Sequence, residues 1–277
     1  MCTRYAPLLV ALLGFAAFVS ITLLRTQQSL LVDQSRMLDR VVIAAPILLA
    51  LYGGDRFLAA DLEVMRLAAT GMQDGRSDTG YLVRAQQVVA QLNGCHEDNY
   101  YLANGLLTWG GAVSEGNQVL QAAVRCRTWD FVPAFFYGVN LAFFQRDIVG
   151  AQGVLELGAQ RSPENAAGLR KLAVMLQAET FADEQLALGY LIQQRDAASD
   201  PRLHDMLDMR VSRLQGLVSL REAQRRFEAA NGALVSLEQL VEFRLLSALP
   251  DDPLGLGYEL SGGKITLKKL KIAGMED

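Results

Sequence analysis

The 277 residues include three cysteines, two histidines and seven prolines, and each scarcity excludes something. With only His96 and His204, and no cysteine or histidine pair at ligand spacing, the chain has no zinc signature. Cys95–His96 is not a haem-attachment motif, because Leu92 stands where the second cysteine is needed. Few prolines beside recurrent Ala, Leu, Gln and Arg favour helix over sheet. An excess of one charge is missing too. The net charge is −4 and neither half is strongly basic, which leaves out nucleic acid. There is no nucleophile elbow, phosphate loop or dinucleotide fingerprint. GLGYELSGG lacks the third glycine at the required place and opens no helix. We therefore expect no catalytic residue, metal, cofactor or small-molecule substrate. Disorder is excluded by the 51% hydrophobic and 20% charged composition.

Charge is also absent from residues 5–24, YAPLLVALLGFAAFVSITLL. That length spans a bilayer core as a helix. The alternative is a cleaved signal peptide. No clean small-x-small site follows the run, however, and it exceeds a usual signal core, so we expect an uncleaved anchor. Residues 26–40 continue as a polar helical stalk. The apolar run 41–52 is too short to span straight and ends at Gly53–Gly54; 56–72 has helical spacing, with Leu58, Leu62, Val64, Met65, Leu67 and Ala68 as its apolar set. DGRSDTG, 74–80, reads as a loop.

Beyond it the chain repeats. In 131–165 one helix runs to about Phe144, Gln-Arg-Asp turns the chain, a second helix runs from Ile148 to Gln160, and Pro163 opens the next unit. Shifting 98–130 by 36 puts Tyr101 on Tyr137, Asn104 on Asn140 and Leu107 on Phe143. A shift of 35 puts Leu120 on Leu155 and Ala123 on Gly158. Asp147 with Ala151 recurs 36 residues later as Asp183 with Ala187. A period of this size with two helices per unit marks a helical solenoid.

The small residues at the helix contacts, the turn Asp and the closing Pro163 resemble tetratricopeptide repeats over about 95–200. Gly116 departs from the family's Ala, and Thr128 from its Pro. The resemblance implies that the first helix of each unit lines a concave groove, with Tyr101, Asn104, Tyr137 and Asn140 facing a bound peptide. Their plain alternative is exposed amides with no partner. The wider arrangement resembles a class of membrane-anchored repeat proteins of Gram-negative bacteria, in which a Gly-rich turn precedes an Ala-Asp-Leu helix, here Gly53–Gly54 and Ala60–Asp61–Leu62. The aromatic run Trp129, Phe131, Phe135, Phe136, Tyr137, Phe143 and Phe144 reads as repeat core. Its alternative is the pocket of a ligand-binding or sensor module.

The last third reads as one long helix over 203–230, stopped by Asn231–Gly232. A capping box follows, Ser236 with Gln239, and then a hairpin turning at Gly262–Gly263. Asp251–Asp252 before Pro253 reads as a turn opening, and Lys264, Lys268, Lys269 and Lys271 as a solvated strand face. Asp252, Pro253, Gly255 and Tyr258 resemble the end of type II secretion pseudopilins, with Leu254 replacing the aromatic. The pseudopilin processing motif is absent, so the resemblance implies a shared cap and not a shared function.

Cys95 and Cys126 bracket one helical hairpin in this reading. Antiparallel helices bring the start of one beside the end of the other, within reach of a disulfide. Two free thiols are the alternative. Arg4 against Arg25, Arg36 and Arg40 slightly favours a cytoplasmic body, but long domains translocate largely regardless of charge. A disulfide persists outside the cytoplasm, and so points to a single-pass bacterial inner-membrane protein with a periplasmic body. The expected architecture is mainly α: an anchor at 1–25, stalk and first hairpin at 26–76, a tetratricopeptide-like α-solenoid at 77–202, and a long helix with a β-hairpin cap at 203–277. The expected function is a scaffold that holds other envelope or membrane proteins during assembly of a complex.

Overall fold

Helix α1, Ala45–Leu51, carries Pro46 in its first turn, where the missing N–H is no loss. The computed structural model describes residues 15, 18–20, 41–70, 72–73, 76–77 and 79–268. Of the expected anchor at 5–24, only Phe15 and 18–20 fall among these; they are helical and exposed. The rest of the anchor, the stalk at 26–40, and Lys269 and Lys271 lie outside the described residues. Among the described residues no helix is long and apolar enough to cross a membrane. The chain is mainly helical and divides into two units, Met1–Ala123 and Val124–Asp277. The division falls inside the expected repeat body.

In the first unit, Asp55 caps α2, Arg56–Thr70, by accepting from the Phe57 and Leu58 amides, both at 3.0 Å. The segment read as a loop over 74–80 differs. Met72–Gln73 (β1) pairs with Arg76–Ser77 (β2), and α3, Thr79–Leu92, has already begun at Thr79. Helices α2 and α3 pack together. Ala59, Ala60, Val64 and Leu67 are buried on α2, and Tyr81, Leu82, Ala85 and Val89 on α3. These spacings place one stripe of each helix inward. Helix α4, Glu97–Leu102, continues as a π-helix over Ala103–Thr108. Helix α5, Val113–Cys126, buries Val119, Leu120 and Ala123. The Gly116 departure has a steric cause: a Cβ there would lie 2.4 Å from Thr108 Oγ1. An alanine methyl would crowd this π-helical turn.

In the second unit, α6, Val132–Asn140, also passes into a π-helix, Leu141–Gln145. Asp147 caps α7, Ile148–Arg161, accepting from the Gly150 amide at 2.8 Å. Asp183 does the same for the Gln185 amide, also at 2.8 Å, at the head of α9, Glu184–Ala197. Ala151 and Ala187 are buried. The 36-residue recurrence is thus an N-cap followed by a small residue at a helix contact. Between them lies α8, Ala166–Ala178, which packs on α7. The aromatic run splits. Phe131, Phe135 and Tyr137 pack on the cluster around Leu141, Leu155 and Leu169, whereas Trp129 and Phe143 are 66% and 57% exposed. That corrects the reading of the whole run as core: alanines and leucines fill the interior, leaving no room for every ring.

Helix α10, Pro201–Asn231, is N-capped by Asp200 and ends at Gly232. The expected capping box is half present. Gln239 Oε1 accepts from the Ser236 amide at 3.2 Å, but α11 is only Gln239–Glu242 and Glu238 takes the cap position. β3, Tyr258–Ser261, pairs antiparallel with β4, Lys264–Leu267, with Ser261 opposite Lys264. Gly262 and Gly263 have φ of 58° and 76°, the doubly left-handed turn that a two-residue hairpin needs. Ile265 is fully buried, while Lys264 on the other face is exposed.

Candidate functional site

Helix α2 presents Val64, Met65 and Ala68 along one stripe, and α4 presents Glu97, Asp98, Tyr101 and Leu102. Together they line an open groove of about 520 Å³. Its position follows from local chemistry. The His96 Nε2 lies 3.1 Å from Asp61 Oδ1, tying the residue before α4 to α2. Asn99 Nδ2 donates to the Gln86 carbonyl at 3.1 Å, tying α4 to α3. Arg56 Nε reaches the Leu92 carbonyl at 2.6 Å and closes the end of α3. Cys95 and Cys126 stand at disulfide distance.

The groove mixes two chemistries. Met65 is 62% exposed and Tyr101 43% exposed, although both are large and apolar in body. Tyr101 stacks on Tyr100 at a centroid separation of 4.7 Å, and Tyr100 is buried. The Tyr101 ring is therefore held rigidly at the surface, which lowers the entropy lost when something packs on it. Glu97 and Asp98 are exposed on the first turn of α4. Carboxylates there suit the positive end of a helix, and they also give the groove an acidic rim.

The four residues expected to face a partner separate. Tyr101 lines the groove. Asn104 is half-exposed on the π-helical turn, and Asn140 is 1% exposed, its amide turned into the interior. Neither residue is without an interaction in the fold. Tyr137 is half-buried against the Leu141–Leu155 cluster. Alignment at 36 residues equates Asn104 with Asn140, but the π-helix starts before the first and after the second. A π-turn takes an extra residue, and Asn104 lies within one whereas Asn140 precedes one.

The sequence reading missed Met65, Glu97 and Asp98 as groove residues. Met65 entered as part of the apolar face of α2. A second signal was available: Leu58 and Met65 are seven apart on α2, a stripe offset from Ala60, Val64 and Leu67, and both are exposed. Among the described residues no group of three or more His, Cys, Asp or Glu could hold a metal ion. Asp251–Asp252 is a turn opening as expected, with the Leu254 amide donating to Asp252 Oδ1 at 2.9 Å. No protein-family model matches the chain, and neither does any curated protein or solved structure.

Proposed function

We propose that this chain is a membrane-anchored interaction scaffold of a bacterial envelope, built from tetratricopeptide-like helical hairpins, and that the α2–α4 groove receives a segment of a partner protein. The observation that carries the reading is the exposed Met65–Tyr101 pair beside the Glu97 and Asp98 carboxylates. An apolar floor with an acidic rim complements a segment carrying apolar side chains next to Lys or Arg. The repeated Asp caps and buried alanines support the repeat assignment. Residues 5–24 serve as the anchor, and the Cys95–Cys126 bond suits a periplasmic body, with other envelope proteins as partners.

The test is site-specific photo-crosslinking in the native host. A photoreactive residue at position 65 and one at 101 are expected to trap the same discrete adduct, whose crosslinked peptide carries Lys or Arg beside apolar residues. Position 235 is the control, since Val235 is 78% exposed and lies outside the groove. Adding Asp98→Lys is expected to remove the adduct at 65. Adducts at 65 and 101 that match those at 235, or none at all, would overturn the groove as the docking site.

A further inference from the structure

The scaffold reading makes no use of a second cavity, inside the unit Val124–Asp277. Met175 and Ala178 of α8, Ala187 and Leu191 of α9, Leu214 of α10 and Leu267 of β4 line a cavity of about 200 Å³. The wall is apolar except for Glu179, Arg210 and Arg213.

The two guanidiniums differ in what holds them. Arg213 is consumed by the fold: Nε donates to Asp252 Oδ2 at 2.9 Å and Nη2 to the Lys268 carbonyl at 2.7 Å. Asp252 is consumed in turn, since its Oδ2 also accepts from the Gly257 amide at 2.6 Å and its Oδ1 from the Leu254 amide. Arg210 is half-buried and makes no hydrogen bond or ion pair of its own among the described residues. Burial, and next the nearby Arg213 charge, hold it below the usual arginine range; Asp252 and Glu179 act in the opposite direction without reversing this. A fork of donors is thus left beside an apolar chamber, in a setting that disfavours its charge. Such a group gains more from an incoming anion than a solvated surface arginine does.

We propose that this cavity binds a short straight-chain monocarboxylate, its chain among Met175, Leu191 and Leu214 and its carboxylate on Arg210. The planar guanidinium fork matches a carboxylate in shape. One unengaged cation, with the exposed Glu179 at the rim, suits a single negative charge and disfavours the second charge of a phosphate. The volume falls below the roughly 300–1,000 Å³ of drug-sized sites, which restricts the chain to a short one. This ligand site is separate from the groove and goes beyond the scaffold reading.

The experiment is titration calorimetry on the full-length chain with hexanoate, with hexanamide as the uncharged ligand of the same shape, and with inorganic phosphate. Hexanoate is expected to bind at one saturable site, hexanamide roughly 10- to 100-fold more weakly, and phosphate not to compete. R210Q should abolish the difference between hexanoate and hexanamide, and R210K should retain part of it. Equal binding of hexanoate and hexanamide to the natural chain would overturn the proposal. So would unchanged hexanoate affinity in R210Q. If R210Q fails to fold, the hexanoate–hexanamide comparison on the natural chain decides alone.

Discussion

The two units both bury polar side chains, but they satisfy them differently. In Val124–Asp277, Arg213 and Gln224 are buried, and apart from the Gln224 Nε2 bond to Glu228 Oε1 at 2.8 Å on the same helix, their bonds go to the β-hairpin and the residues flanking it. Arg213 holds Asp252 and the Lys268 carbonyl; Gln224 Nε2 donates to the Gly263 carbonyl at 2.7 Å and its Oε1 accepts from the Ile265 amide at 3.2 Å. In Met1–Ala123, Gln86 is fully buried, yet neither end of its amide has a partner among the described residues; His96 Nδ1 and Asn99 Oδ1 are likewise unmatched. A satisfied network fixes one way for the hairpin to dock, whereas unmatched groups cost stability without specifying anything. The groove belongs to the less satisfied unit, where α2 and α4 are tied by single bonds.

The sharpest way to break the contrast is Arg213→Ala. It leaves the Asp252 carboxylate, 3% exposed, without its cation, and should lower unfolding stability by about 3–5 kcal/mol in denaturant titration. Burial alone would raise the Asp252 carboxyl. The Leu254 and Gly257 amides and the Arg213 guanidinium outweigh burial and hold it below the usual carboxylate range. A depressed folded value means that this stabilisation is complete above the unfolded value of about 3.9 and is lost as pH falls through the folded one. The natural chain should therefore lose this component only in strong acid. In Arg213→Ala the acid limb should begin at higher pH. An unchanged limb would mean that the amides alone hold the carboxylate.

Cys126→Ser tests the cysteine pair. Opening the 95–126 loop should cost about 3–4 kcal/mol and loosen the start of α4, so groove crosslinking should fall while the hairpin core around Ile265 stays protected from hydrogen exchange. Before that, alkylation without reductant should leave Cys95 and Cys126 of the native protein unlabelled. Full labelling of both would remove the bond and, with it, the best support for a periplasmic body.

Gly116→Ala should destabilise by about 1–3 kcal/mol, because the new methyl meets Thr108 Oγ1 at a distance no real contact shows. Thr108→Ala in the same chain should return part of the loss. A neutral Gly116→Ala would mean that the π-helical turn gives way freely.

What the sequence made legible was local. The Asp147 and Asp183 turns, the stop at Asn231–Gly232 and the Gly262–Gly263 turn each depend on a few neighbouring residues, and each was read from spacing and residue type; that the two Asp are helix caps was not. The Arg213–Asp252 pair was not legible, because it joins positions in a helix and a distant loop that no period relates. Asp252 looked like a turn residue and is one; only the fold shows that it is also buried against a cation. The groove escaped for a different reason. Periodicity shows that α2 has an apolar stripe, but it cannot say which stripe its neighbours cover, and Met65 lies on one they leave open. Asn140 misled because a repeat in sequence does not preserve exposure, and its amide is buried.

The smallest expected effect is the most direct test of the comparison. Gln86→Leu and Gln224→Leu make the same chemical change at two buried sites. At Gln224 the substitution strips partners from the Gly263 carbonyl and the Ile265 amide, and leaving such groups unpaired costs about 1–3 kcal/mol. At Gln86 it removes an amide that has no partner and puts a side chain of similar size in its place. The Asn99 bond survives, since it goes to the Gln86 backbone carbonyl and not to its side chain. Gln86→Leu should therefore be neutral or stabilise by about 1 kcal/mol. Opposite signs in paired denaturant titrations would establish that the interiors differ in satisfaction and not merely in polarity. If Gln86→Leu destabilises as much as Gln224→Leu, its amide has partners after all, with internal water the natural source, and the contrast between the two units fails.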